Sequence, residues 1–496
     1  MLKEQNGSYG HILKYTGVFG GVQGLNLVIG LVRNKLVAIL LGPGGMGLST
    51  LFNSALNFIS QTTNLGISFS AVRHISELFD GSDEERTSQY IKVIRGWCLL
   101  TALLGALVCV AIGPLLSSTT FSWGDHSLHF ILLAPAVAMI AVIGGETAIL
   151  KGTRRLGPLA IIQVLSVFAS LIIAVPLYYF FHEAAIVPVI VLMAFATLCF
   201  TIRYSYRLYP LQLRGARGIL GEGMEMVRLG VAFTLAGIVG SASEMLIRSY
   251  LNVQGDLDVV GLYNAGYMIT ITYAGMVFSA MESDYFPRLS AVNQDITQTN
   301  LAVNKQMEVT LLIISPLLTG LMILLPVFIP LLFTQKFLPI LAMTQVATLA
   351  MFFKTLTLPV AYITLARGYS FTYLMLEFSY FVVFVLLVVF GYQRWGLLGT
   401  GIAITVANLF DFLMVHMVAR GWYGYKISST VIKYSAIQFL IGILAFFTTI
   451  TVDGLAYWVF GLGLTLVSLM FSLLILHQKT HLWNALTRRL PKFGKH

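Results

Sequence analysis

The sequence predicts an all-α polytopic membrane protein of about 14 transmembrane helices. Three observations predict it. Only 10% of the 496 residues are charged and 57% are hydrophobic, against roughly 25% charged in soluble domains. Mean hydropathy is +0.83. Apolar runs of about 20 residues, enough for a helix to cross a bilayer, recur along the whole chain.

In order, the expected spans are 15–42, 48–72, 91–116, 127–150, 157–181, 185–206, 227–252, 259–282, 307–333, 338–366, 371–392, 396–418, 430–452 and 454–477. The first two meet at a Gly-rich bend, Gly42-Pro-Gly-Gly-Met-Gly47. Gly42, Gly44 and Gly47 match Gly-x-Gly-x-x-Gly, but an Arg-bearing apolar helix precedes them instead of the strand that a dinucleotide site needs. The third span closes on Pro114-Leu-Leu and the ninth on Pro330-Leu-Leu; Gly152 follows the fourth and Gly368 the tenth. No connection is long enough for a soluble domain; the largest lie near 73–91, 207–226 and 285–306.

An even number of spans puts both termini on one side, and the Lys/Arg bias says which. One set of connections carries Arg73, Arg86, Arg95, Lys151, Arg154, Arg155, Arg203, Arg207, Arg214, Arg217, Arg228, Arg288, Lys305, Arg367, Arg420 and Lys426, and the basic tail joins it. The opposite set holds Lys336 and Arg394 among Asp125, Glu183, Asp256, Asp258 and Asp453. Both termini are therefore expected in the cytoplasm. The same asymmetry absorbs the net charge of +10, so no nucleic-acid partner is needed. The polar first fifteen residues and the long first apolar run do not read as a signal peptide.

A duplication is expected from matched offsets. Arg33, Gly42 and Gly47-Leu48 correspond to Arg248, Gly255 and Gly261-Leu262; Pro114 corresponds to Pro330, and Gly152 to Gly368. Six-helix units inserted the same way are related by an axis along the membrane normal. The last two spans fall outside the repeat.

Chemistry-bearing residues concentrate in the first two spans. Gln23, Asn26, Gly30, Arg33 and Asn34 share one helical face, and Asn53, Asn57, Gln61, Asn64 and Ser68 share another. A guanidinium near mid-membrane is costly and seldom faces lipid, so these stripes point to a wet cavity. The competing reading is polar contact between packed helices. Lys35 is expected to snorkel to the outer interface.

The seventh span carries Glu244 and Arg248 at i, i+4, either a structural ion pair or a ligand site. The eighth offers Asn264, Tyr267 and Thr270, then Glu282 and Asp284 at its cytoplasmic end. Lys354 is expected to pair with Asp411 or Glu377. Glu146, Glu377 and Asp411 are candidate ion-coupling carboxylates, since buried acids in transporters can carry protons or sodium. Cys98, Cys109 and Cys199 lie inside apolar runs and imply neither disulfide nor metal. No phosphate-cradling Gly-Lys-Ser/Thr loop and no metal-ligand spacing occur, so neither cofactor nor metal is expected.

Two stretches carry a family resemblance. LVRNKLVAILLGPGGMGLSTLFNSALNFISQTTNLGISFSAVRHISE (Leu31–Glu77) and VVGLYNAGYMITITYAGMVFSAMESDYFPRLSAV (Val259–Val292) resemble bacterial lipid-linked oligosaccharide flippases. These are the O-antigen, capsule and enterobacterial-common-antigen translocases of the multidrug/oligosaccharidyl-lipid/polysaccharide superfamily. Gly261-Leu-Tyr-Asn-Ala and Phe286-Pro-Arg-Leu-Ser are the most specific pieces. Two further C-terminal spans depart from the twelve of many such flippases.

The resemblance implies two six-helix lobes in a V around a central cavity lined by the first, second, seventh and eighth helices. Expected segments are an N-terminal lobe 1–212, a C-terminal lobe 213–425, and two extra helices with a basic tail, 426–496. The implied activity is alternating-access transfer of an undecaprenyl diphosphate-linked oligosaccharide from the cytoplasmic to the periplasmic leaflet of the bacterial inner membrane. The chain is expected to be a transporter and not an enzyme. A polysaccharide polymerase and a chain-length regulator are the implied protein partners. Substrate-binding candidates are Arg33, Asn26, Asn34, Asn53, Asn57, Gln61, Asn64, Arg248 and Asn264. Arg offers a planar fork suited to a diphosphate, and amides suit sugar hydroxyls. The alternatives are a cation-coupled multidrug exporter, which would want acids in the first-lobe cavity, and a membrane polymerase or ligase, which would want a sizeable outer loop.

Overall fold

The backbone of this computed structural model is governed by where glycine permits a break. Residues 2–80, 84–121, 124–211, 219–273, 275, 278, 285–286 and 288–480 are described, with side chains at most but not all positions from residue 24 onward. Gln23, Arg73, Arg214, Arg217, Arg228, Glu282, Asp284 and the basic tail beyond residue 480 lie outside the described residues or side chains. Among the described residues there is no strand.

Helix α1 (Leu2–Thr63) is two helices joined at Gly42, whose φ of 66° and ψ of −171° suit glycine alone. Pro43 starts the second half, where its missing N–H costs nothing. That half ends at Thr63, not near residue 72 as expected: Leu65 and Gly66 take φ of 51° and 73°, and α2 (Ile67–Asp80) starts anew. Then follow α3 (Glu84–Thr120), α4 (Ser127–Gly152), α5 (Leu156–Phe181), α6 (Ile186–Leu208), α7 (Ile219–Gln254) and α8 (Leu257–Tyr267), the last running into a π-helical turn, Met268–Tyr273. Beyond it lie α9 (Ile296–Leu332), α10 (Leu341–Ala366), α11 (Ser370–Tyr423), α12 (Ser429–Thr451) and α13 (Gly454–Thr480). α11 spans both the eleventh and twelfth expected segments and breaks at Gly396, φ 56° and ψ −137°.

Among the described residues, nine segments are long and apolar enough to cross a membrane. One of them contains both α5 and α6, and two contain the breaks at Gly42 and Gly396. The chain is a multi-pass membrane protein.

It packs as two units, Met1–Leu262 with Leu331–Lys336, and Tyr263–Pro330 with Phe337–His496. In the first, α2, α3 and α4 enclose Ile67, Ile75, Ile94, Trp97 and Ile149. The close approach of α3 to α4 needs small residues, as membrane helix pairs do: a Cβ on Gly145 would lie 2.1 Å from Cys98 Sγ. In the second unit, Met307, Leu311, Val360, Ile363, Val415 and Val431 form one core. The connector after α11 is strapped to α9. Asn304 donates to the Lys426 carbonyl at 2.9 Å and accepts from the Ser428 amide at 2.7 Å. Asn300 accepts from the Lys426 amide at 2.8 Å. In α12 and α13, buried Gln438 donates to Ser472 at 2.9 Å and accepts from Ser468 at 2.6 Å.

Candidate functional site

Before Gly42, α1 carries Asn26, Arg33 and Asn34, all half-buried. Arg33 Nη2 donates to Asn34 Oδ1 at 3.2 Å. Tyr178 of α5, buried, stands beside Arg33 and bonds Ser49. The Lys35 ammonium donates to the Phe333 carbonyl, just past the end of α9 and three residues before Lys336.

After Gly42 the helix has two unlike faces. Leu51, Phe52, Ser54, Ala55, Leu56, Ile59 and Thr63 are buried, whereas Asn53, Asn57 and Gln61 are exposed. Asn53 donates back to the Ser49 carbonyl at 2.8 Å, and half-buried Asn64 donates to Ser68 at 3.0 Å. The amides at 53 and 57 are thus not packed between helices, whereas that of Gln61 lies beside Gly237 of α7, 3.2 Å from where its Cβ would be. Amides on a membrane-crossing helix do not face hydrocarbon without penalty, so this stripe marks a hydrated surface.

Arg248 is 8% exposed and belongs to the opposite, buried face. Its Nη1 donates to Glu244 Oε2 and to Ser54 Oγ, each at 2.8 Å. It braces α7 against α1, so the structural reading of the Glu244–Arg248 pair holds in this conformation. Asn264, half-buried, belongs to the other unit and donates to Met268 Sδ at 3.5 Å.

The three candidate acids separate into two places. Glu146 has a structural partner and not an open cation site: Arg95 Nε and Nη2 reach its two oxygens at 2.7 and 3.1 Å, and Ser205 also donates to it. The same guanidinium donates to the carbonyls of Tyr209 at 2.9 Å and Pro210 at 3.1 Å, and lies over the Tyr206 ring at 4.5 Å. It therefore ties down the chain just past the C-terminus of α6. Glu377 and Asp411 do come together. With Lys354, Thr357 and Tyr373 they line a small cleft in the second unit, and Lys354 sits 5.8 Å from the Tyr380 ring centre. Two acids and one ammonium lining one cleft have the chemistry to hold and release a proton or a monovalent cation.

Sequence reasoning missed Tyr178, Ser49 and Ser54, single hydroxyls in apolar runs that carry no periodic signal. It also missed Arg95 as the partner of Glu146. Among the described residues no cluster of three or more His, Cys, Asp or Glu could hold a metal.

The comparisons agree with this architecture. Residues 36–342 match the family described as polysaccharide biosynthesis protein. The lipid III flippase of Escherichia coli (strain K12) is 23% identical over 292 residues, covering 54% of this chain and 65% of that protein. The lipopolysaccharide biosynthesis protein WzxC of the same organism is 21% identical over 398 residues, 79% of this chain and 77% of that one. Among solved structures, the lipid II flippase MurJ in an inward closed conformation has a TM-score of 0.70 at 14% identity, covering 93% of this chain and 98% of that one. An inward-facing multidrug resistance MATE transporter has a TM-score of 0.66 at 16% identity, covering 79% and 94%. At these identities the likeness to the solved structures is one of fold. The family match takes in more than half of the residues, and the chain belongs to the polysaccharide biosynthesis protein family.

Proposed function

We propose that this protein moves an undecaprenyl diphosphate-linked oligosaccharide from the cytoplasmic to the periplasmic leaflet by alternating access, for assembly of a cell-surface polysaccharide. The observation that carries the reading is the exposed amide stripe, Asn53, Asn57 and Gln61, on the helix that follows the Arg33-bearing one. Amides recognise sugar hydroxyls, and the Arg33 fork matches a diphosphate. The relatives named as lipid III flippase and WzxC support the same substrate class. The chain is read as fourteen spans in the bacterial inner membrane with both termini cytoplasmic. Its proposed segments are 1–212 and 213–425 as parallel repeats, with 426–496 appended. A polymerase and a chain-length regulator are the proposed partners. The Lys354–Glu377–Asp411 cleft is the proposed place of ion coupling.

The test is complementation of a strain lacking this gene, read as surface polysaccharide. Arg33→Ala abolishes export while membrane abundance stays near wild type; Arg33→Lys keeps the charge without the fork and retains partial export. An Arg33→Ala protein present at normal level and exporting at the normal rate refutes the assignment. The likeness to MATE structures motivates a control: a multidrug exporter would change drug susceptibility and leave surface glycan untouched.

A further inference from the structure

Two helices begin at positions 214 residues apart and touch through their backbones. The second half of α1 starts at Pro43, after the break at Gly42. α8 starts at Leu257, where Asp256 caps it by accepting from the Val259 amide at 2.8 Å. A Cβ on Gly47 would lie 2.0 Å from the Leu257 carbonyl oxygen; one on Gly261 would lie 1.9 Å from the Pro43 carbonyl oxygen. Each would also lie 3.0 Å from the other glycine's nitrogen. Leu257 follows Pro43, and Gly261 follows Gly47, by the same 214 residues. Every contact therefore has its mate under one two-fold exchange, as in a self-complementary interface. No side chain fits at either glycine. At the two glycines the attraction is carbonyl against Cα–H, which is weak contact by contact.

We infer that the Gly47–Gly261 crossing is a reversible seam that closes the outer end of the transport path and parts for glycan to leave. The inference rests on the transport reading, which puts the connections at 42–48 and 253–258 on the periplasmic side. A seam whose closest contacts are backbone against glycine can close to contact and part again with little side-chain repacking. Gly44 extends it, since a Cβ there would meet Asp258 Oδ1 at 2.8 Å.

A Cβ on Gly44 would stand 3.8 Å from that of Leu257, within the roughly 3.5–4.5 Å span of a disulfide. In a Cys199→Ser background, Gly44→Cys with Leu257→Cys should crosslink on mild oxidation. Crosslinked protein loses glycan export, and reduction restores it; either single cysteine exports equally in both conditions. Export unchanged in fully crosslinked protein overturns the seam, and so does failure to crosslink. A second measurement needs no substrate. Gly261→Ala holds the crossing apart and raises labelling of Asn57→Cys by a membrane-impermeant maleimide from the periplasm severalfold; unchanged labelling overturns the proposal. If wild type exports no glycan while labelling still responds to Gly261→Ala, the substrate reading fails and the seam stands.

Discussion

Arg95→Ala is the substitution whose cost the structure fixes best. Arg95 and Glu146 are 4% and 2% exposed, so solvent screens neither charge. Removing the guanidinium deletes both bonds to Glu146 and those to the Tyr209 and Pro210 carbonyls. Ser205 is then the described donor left to a buried carboxylate. Breaking one side of such a pair costs about 3–5 kcal/mol. At roughly 2–4 °C per kcal/mol for a unit of this size, the melting temperature of detergent-solubilised protein should fall by about 6–20 °C. Arg95→Met combined with Glu146→Leu removes the stranded charge and should recover at least half of that loss, because isosteric apolar replacement of a buried pair is often neutral. A fall of under about 2 °C for Arg95→Ala, or a double variant as unstable as the single, would refute the reasoning.

Asn304→Ala frees the half-buried Ser428 amide and the carbonyl of exposed Lys426 in the connector that leads to α12; a loss of about 0.5–1.5 kcal/mol is expected for each bond removed, checked by thermal unfolding and by proteolysis at the connector. Reporter fusions placed after Lys305 and at the C-terminus should both report cytoplasm, and a periplasmic signal from either breaks the proposed topology.

Helix positions were legible because lipid demands uninterrupted apolar length, and that demand is written residue by residue. The break at Gly42-Pro43 was legible for the same local reason. The break at Leu65-Gly66 was not: leucine gives no hint of a left-handed backbone, and the apolar run continues through it. Periodicity found the amide stripe, but a stripe alone fits a packed seam as well as a wet wall; the exposure of Asn53 and Asn57 favours the second, while the Gln61 amide lies beside Gly237 of α7. The acids show the limit of local reasoning most clearly. Glu146 and Asp411 looked alike in sequence, each an acid in an apolar run. Their difference lies in partners 51 residues away in one case, Arg95, and in a shared cleft with Lys354 and Glu377 in the other.

The two faces of the helix after Gly42 tie these features into one mechanical element. Gly47 and Ser54 are seven residues apart, two turns on one face and about 10 Å along the axis. That face meets Leu257 and Gly261 at one level and Arg248 at the next. Asn53, one residue from Ser54, is turned about 100° away, toward the exposed stripe. The contacts differ in strength: the lower is a buried, charge-assisted bond from Arg248, the upper only carbonyl against glycine. The Glu244–Arg248–Ser54 chain ties α7 to the buried face of this helix, one residue from the exposed Asn53.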